Sequence, residues 1–219
     1  VGPDAELDAI RTSLTEVAIE TVVPQTPLAG LAQALAQIEL AQSDDARRIH
    51  VDNLLGRLHS NDLDLAGAHG VLLDAGPTLQ LIPAVRQEII NLYREESLLD
   101  LAVLLVRRWL VTTDEADQGL LLLELVGCLR ENAQVDEAIA LLQDRVWSHP
   151  DDRVCWAEYV DCLDAIGDDE RKAAALGTWA GFARGFEQAQ LFRQQVLLLV
   201  DLDQPEAAAA AIIAARQAS

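Results

Sequence analysis

Alanine recurs at a nearly constant interval along this chain, at Ala66, Ala102, Ala138, Ala173 and Ala207, with successive spacings of 36, 36, 35 and 34. Each sits shortly after a break in an otherwise helical pattern. A fixed period in this range marks a chain built from one supersecondary unit used repeatedly. Such a unit cannot bury its apolar face alone and must stack on its neighbours. A unit of this length has room for two helices and two short turns, so the expected architecture is a row of helix pairs.

The remaining sequence agrees. Helical patterns are interrupted near residues 23–26, 43–45, 60–61, 75–78, 95–97, 112–114, 132–134, 149–151, 167–168, 185 and 201–203. These breaks leave twelve segments of about 12–18 residues, a normal helix length. Val51, Leu54, Leu55 and Leu58 follow the i, i+3, i+4, i+7 spacing of one buried helix face, as do Leu122, Leu125, Val126 and Leu129. Ala and Leu, both strong helix formers, dominate the apolar residues. No segment alternates with period two over β-branched residues, so no strand is expected. Asp152 and Asp114 stand where N-caps belong, and Pro205 stands where a first helical turn tolerates proline.

The best-patterned stretch carries a known signature. Leu122, Leu125, Val126 and Leu129, then Ala138 and Leu142, then Pro150, match the spacing of the tetratricopeptide repeat. Trp156, Tyr159, Val160 and Leu163 followed by Gly167-Asp168 match its first helix and turn. Arg86, Ile89, Ile90 and Tyr93 followed by Ala102 and Val106 match the unit before. The chain therefore resembles the tetratricopeptide repeat family, in degenerate form. Ile90, Val126 and Val160 replace the glycine usual in the first helix, and the register slips by about a residue around residues 54–66 and in the last unit. The resemblance implies an all-α solenoid of about six antiparallel helix pairs. The repeat array is expected over 44–219, clearest at 83–184, and residues 1–43 show two helices with little of the motif, expected as an N-terminal pair that caps the array.

Composition narrows the function classes. Asp and Glu total 36 against 16 Lys and Arg, a formal net charge of -20. Such a chain repels phosphate backbones and anionic membrane surfaces, so nucleic acid and direct membrane insertion are not expected. No apolar run approaches the ~18 residues of a membrane span. A basic partner segment would be steered toward this charge. Phosphate-binding glycine loops, the nucleophile elbow and the H-E-x-x-H zinc motif are absent from the sequence, so no enzyme and no cofactor is expected. His50, His59, His69 and His149 lack convergent metal-ligand spacing. Asp44-Asp45, Asp151-Asp152 and Asp168-Asp169 fall at helix starts and read as caps rather than metal ligands. Cys128, Cys155 and Cys162 make an odd count and read as packing residues, in keeping with a reducing, cytoplasmic setting. Methionine is absent and the sequence begins at Val1, which implies a processed or shortened product. Trp156 takes the large first-helix position. Trp109, Trp147 and Trp179 are expected to pack against the following repeat.

The resemblance also implies a binding surface. The other face of the first helices would line a concave groove, which by register holds Asn91, Arg94, Glu95, Glu124, Arg130, Glu131, Glu158, Asp161 and Asp164. This set is mostly acidic, with Arg94 and Arg130 placed as carboxylate clamps. The implied function is a non-catalytic adaptor, scaffold or assembly module holding a peptide or protein segment, preferably basic. An alternative rests on the last helices. Phe192, Val196, Leu199 and Val200 form an apolar face, and residues 207–215 are apolar nearly all round. A terminal repeat normally carries a polar cap, so this end is expected to self-associate as a homodimer, or to continue into further repeats of a larger protein in which it serves oligomerisation.

Overall fold

The computed structural model describes residues 26–60, 62–75 and 82–218, and the chain divides into two compact units, 1–85 and 86–219. Every regular element among the described residues is a helix. In chain order these are α1 (Pro27–Leu40), α2 (Asp44–Leu58), α3 (Leu65–Asp74), α4 (Pro83–Glu95), α5 (Leu99–Thr112), α6 (Glu115–Glu131), α7 (Val135–Ser148), α8 (Arg153–Ala165), α9 (Asp169–Phe182), α10 (Gly185–Asp201) and α11 (Pro205–Ala218). The expected twelfth segment falls in residues 1–25, outside the described residues.

In the first unit α1 packs against both α2 and α3, so the chain crosses residue 43 inside one hairpin. Each helix opens on a side-chain cap. Thr26 accepts from Ala29 N–H at 3.2 Å, Ser43 from Ala46 N–H at 3.2 Å, and Asp64 from Ala66 N–H at 3.1 Å. These bonds satisfy amides that the first helical turn leaves without partners. Leu31, Ala34, Leu35 and Ile38 of α1, Leu54 and Leu58 of α2, and Leu65, Ala68 and Leu72 of α3 are buried.

The second unit is a stack of helix hairpins, tetratricopeptide-like in helix order and repeat length. Consecutive helices from α5 to α11 pack on one another, and the first helices α6 and α8 also meet directly. One turn closes every hairpin. Leu98 N–H donates to Tyr93 O at 2.8 Å, Gln134 to Leu129 at 2.8 Å, Asp168 to Leu163 at 3.0 Å and Gln204 to Leu199 at 2.9 Å. The residue before each donor takes a positive φ: Ser97 58°, Ala133 58°, Gly167 69° and Asp203 55°. This is the Schellman termination, in which one left-handed residue turns the last carbonyls of a helix back onto following amides. Only one of the four positions is glycine, so the glycine signal of the turn is largely missing from the sequence.

The small-residue rule holds, with its register set by where each second helix begins. Ala102, Ala138 and Ala173 are buried, and so are Ala68 and Ala208, whereas Ala66 and Ala207 are exposed. Leu65 and Pro205 begin their helices. The residue one turn in, rather than the second or third, therefore meets the partner helix. Ile90, Val126 and Val160, which stand in place of the family's glycine, are buried and fill the interhelical gap. Trp156 is fully buried. It stacks on Trp179 with centroids 6.3 Å apart and on Phe182 at 6.5 Å, and its indole N–H donates to Pro150 O at 3.1 Å. Trp109 is likewise buried. Trp147 departs from expectation: it is 61% exposed at the end of α7, because Val146 takes the inward position beside it.

Candidate functional site

The outward face of the first helices is laced by ion pairs that run from one pair to the next. Arg94 Nε of α4 lies 3.0 Å from Glu131 Oε2 of α6. Arg130 of α6 bonds to Glu158 of α8, and Arg153 of α8 reaches Glu187 of α10 at 3.3 Å. Each step has the arginine on the earlier helix and the glutamate on the later one. The second helices carry their own cross-links: Arg107 pairs with Glu137, and Arg171 Nη2 donates to Gln143 Oε1 at 3.2 Å. A side chain long enough to cross between first helices, about 8–10 Å apart at such contacts, is needed at every step. Arginine and glutamate together supply that reach.

These contacts sort the nine sequence-predicted groove residues. Arg94, Glu131, Arg130 and Glu158 are engaged inside the array, so the two arginines already hold carboxylates of their own chain. Asp164 is bonded to Lys172, the chain's single lysine. Glu124 faces the side-chain amide of Gln87, which in turn lies 3.2 Å from Asn91 Oδ1. Glu124 also acts electrostatically on Arg86, together with Asp117. Arg86 occupies the large first-helix position, is buried, and has its pKa lowered by that burial against the pull of the two carboxylates. Asp161 remains exposed beside Arg130, and Glu95 is exposed at the end of α4.

One pocket opens on this face. It has a volume of about 370 Å³ and lies between α8 and α10, over α9; its lining includes Ala157, Val160, Asp161, Trp179, Gln190 and Gln194. Of the predicted set it contains Asp161. Ala157, Gln190 and Gln194 were not anticipated. The spacing of Glu187, Gln190 and Gln194 on α10 is the signal that could have found the two glutamines, since it places three polar groups on one helical stripe. The apolar floor and amide rim could hold an uncharged side chain and bond to a peptide backbone.

The other candidate groups hold no convergent chemistry. Among the described residues no cluster of three or more His, Cys, Asp or Glu side chains is placed to bind a metal ion. Among the same residues no helix is long and apolar enough to cross a membrane. All three cysteines are free and buried, and burial pushes the thiol pKa of Cys155 up to about 12 and that of Cys162 to about 11. Asp151-Asp152 acts as a cap: Asp152 accepts from Cys155 N–H at 3.1 Å and from Arg145 Nε at 3.2 Å. Of the apolar C-terminal set, Phe192 and Leu199 are buried, Val196 is half-buried and Val200 is exposed. Leu199 belongs to a small core with Ala173, Ala208 and Ala211.

No family model and no curated protein matches this chain. Among solved structures it is similar to YrrB, described as a TPR protein with an unusual peptide-binding site. The match has 19% sequence identity and a TM-score of 0.43, and covers 86% of this chain and 93% of that one.

Proposed function

We propose that the second unit is a non-catalytic binding module that holds a peptide or protein segment against the outward face of α6, α8 and α10. The observation that carries this reading is the pocket between α8 and α10 with exposed Asp161 at its rim. The arginines of this face are already neutralised by Glu131 and Glu158, so the charge left uncompensated there is negative. A segment with an apolar side chain for the pocket and a basic residue for Asp161 fits best. Rigid stacked helices would present these groups with little ordering cost on the protein side. Such a surface suits an adaptor or assembly factor.

The test uses a labelled peptide of alternating lysine and leucine, titrated by fluorescence anisotropy at physiological salt. Asp161→Lys and Gln194→Ala should each weaken binding, the first by about tenfold or more, since one rim charge is reversed next to an apolar contact. Asp144→Lys, an exposed reversal on second helix α7, controls for overall charge and should change little. Equal affinity of the Asp161→Lys and Asp144→Lys proteins would overturn the assignment.

A further inference from the structure

We propose that the far side of the last helix pair, α10–α11, docks an amphipathic helix of a partner protein whose apolar stripe is flanked by carboxylates. This groove adjoins the α8–α10 pocket at Phe186, which lines both, and shares no other lining residue with it. A groove of about 760 Å³ runs here, lined among others by Phe186, Val196, Leu197 and Ile212, with Arg193 and Arg216 beside them. Phe186 is 80% and Leu197 55% exposed. Single exposed apolar residues are ordinary, but a contiguous apolar groove marks an interaction surface.

The shape of the occupant follows from the groove's construction. Its α10 lining includes residues 186, 189, 193 and 196, at intervals of three and four. These form one ridge about 15 Å long by helical rise, the kind of surface into which a third helix packs. The same packing recurs inside the array, where α8 covers α7 and α10 covers α9.

The charge of the occupant follows from Arg193 and Arg216, which line a groove with no carboxylate among its lining residues. At three successive steps an arginine of one first helix receives a glutamate from the next: Arg94 and Glu131, Arg130 and Glu158, Arg153 and Glu187. Arg193 is an arginine of the last first helix, and it is exposed without an ion-pair partner among the described residues, as is Arg216. Two unpaired cations at an apolar groove, in a chain of net charge -20, form a local field opposite to the global one. A second copy of the chain is a poor occupant. A two-fold contact would set the same arginine-bearing patch against itself, between two strongly acidic molecules.

Two synthetic helical peptides of about 20 residues test this, long enough to form a helix on the surface. Both carry leucine at alternating third and fourth positions; one has glutamate flanking the stripe and the other lysine. In the Asp161→Lys protein, whose α8–α10 pocket no longer favours lysine, fluorescence anisotropy should show the glutamate peptide binding about tenfold more tightly, although the protein's net charge favours the lysine peptide. Exchange of both arginines on that background, Arg193→Glu/Arg216→Glu, should reverse that preference. Leu197→Asp on the Asp161→Lys background should abolish binding of both, and the parent protein should bind the glutamate peptide as tightly as the Asp161→Lys protein does. Circular dichroism of these surface variants should match the parent. Absence of binding, a preference for lysine in the Asp161→Lys protein, or a preference that survives the double exchange on that background would overturn the proposal. A dimer in sedimentation that Leu197→Asp dissociates would also overturn it, in favour of a second copy.

Discussion

Arg94 Nε lies 3.0 Å from Glu131 Oε2, so the last turn of one first helix is tied to the last turn of the next. Gly127 makes room for this: a Cβ there would lie 2.9 Å from Arg94 Nη2. The lacing of Arg94 with Glu131 and Arg130 with Glu158 joins residues far apart in sequence. It fixes neighbouring repeats against each other while the apolar residues fill the interior. A partly exposed pair of this kind contributes about 0.2–1 kcal/mol. A double-mutant cycle on Arg130→Ala and Glu158→Ala, read by urea unfolding, should return a coupling in that range that shrinks in high salt. A coupling of zero at low salt would remove the lacing as a stabilising feature.

The hairpin turns offer a sharper measurement. Ala133 holds a φ of 58°, where an L side chain is disfavoured and glycine is not. Ala133→Gly should therefore raise stability by up to about 1 kcal/mol. Gly167, at 69°, is the matched position one repeat later, so Gly167→Ala should lower stability by about the same amount. Thermal melts of the two variants should move in opposite directions.

Asp152 joins a helix cap to an ion pair. Burial acts to raise its pKa, but the Cys155 contacts and Arg145 outweigh burial and hold the carboxyl below its usual value. Its stabilising contribution is thus complete above the unfolded value of about 4 and is lost as pH falls through the lower folded value. Asp152→Asn should cost about 1–2 kcal/mol at neutral pH. It should also flatten the loss of stability below about pH 4, which acid titration of the unfolding midpoint would reveal.

The thiols give a simple reading of packing. Cys128, Cys155 and Cys162 are buried, and burial raises the pKa of each. A thiol-reactive chromophore should modify almost none of them at pH 8 in the native protein and all three in denaturant. Rapid native labelling of Cys155 or Cys162 would show that α8 is not packed as described.

How much was legible in advance can be judged from particular residues. Ala102, Ala138 and Ala173 announced close helix contacts and make them, because a repeat period and a small side chain are local facts of the sequence. Ala66 and Ala207 did not serve, and Ala68 and Ala208 took their place, because the helix start sets the phase and a one-residue slip rotates a side chain by about 100°. Trp147 looked like an interior residue and is exposed, because Val146 beside it points inward instead.

The sequence by itself determined the helices, their number per repeat, the buried stripes and part of the capping: Asp152 caps α8 as expected, whereas Asp114 stands at the N-cap of α6 without a side-chain bond. Those features depend on spacing along one chain segment, and the hydrogen bonds that build and end a helix join residues only a few positions apart. Tertiary structure decided which charges remain free. Arg94 and Arg130 read alike as clamps for a ligand, yet both are taken by glutamates 37 and 28 residues away, whereas Arg193 and Arg216 are left open beside an apolar groove. Electrostatic pairing acts through space at a few ångströms, and that proximity exists only once the hairpins have stacked.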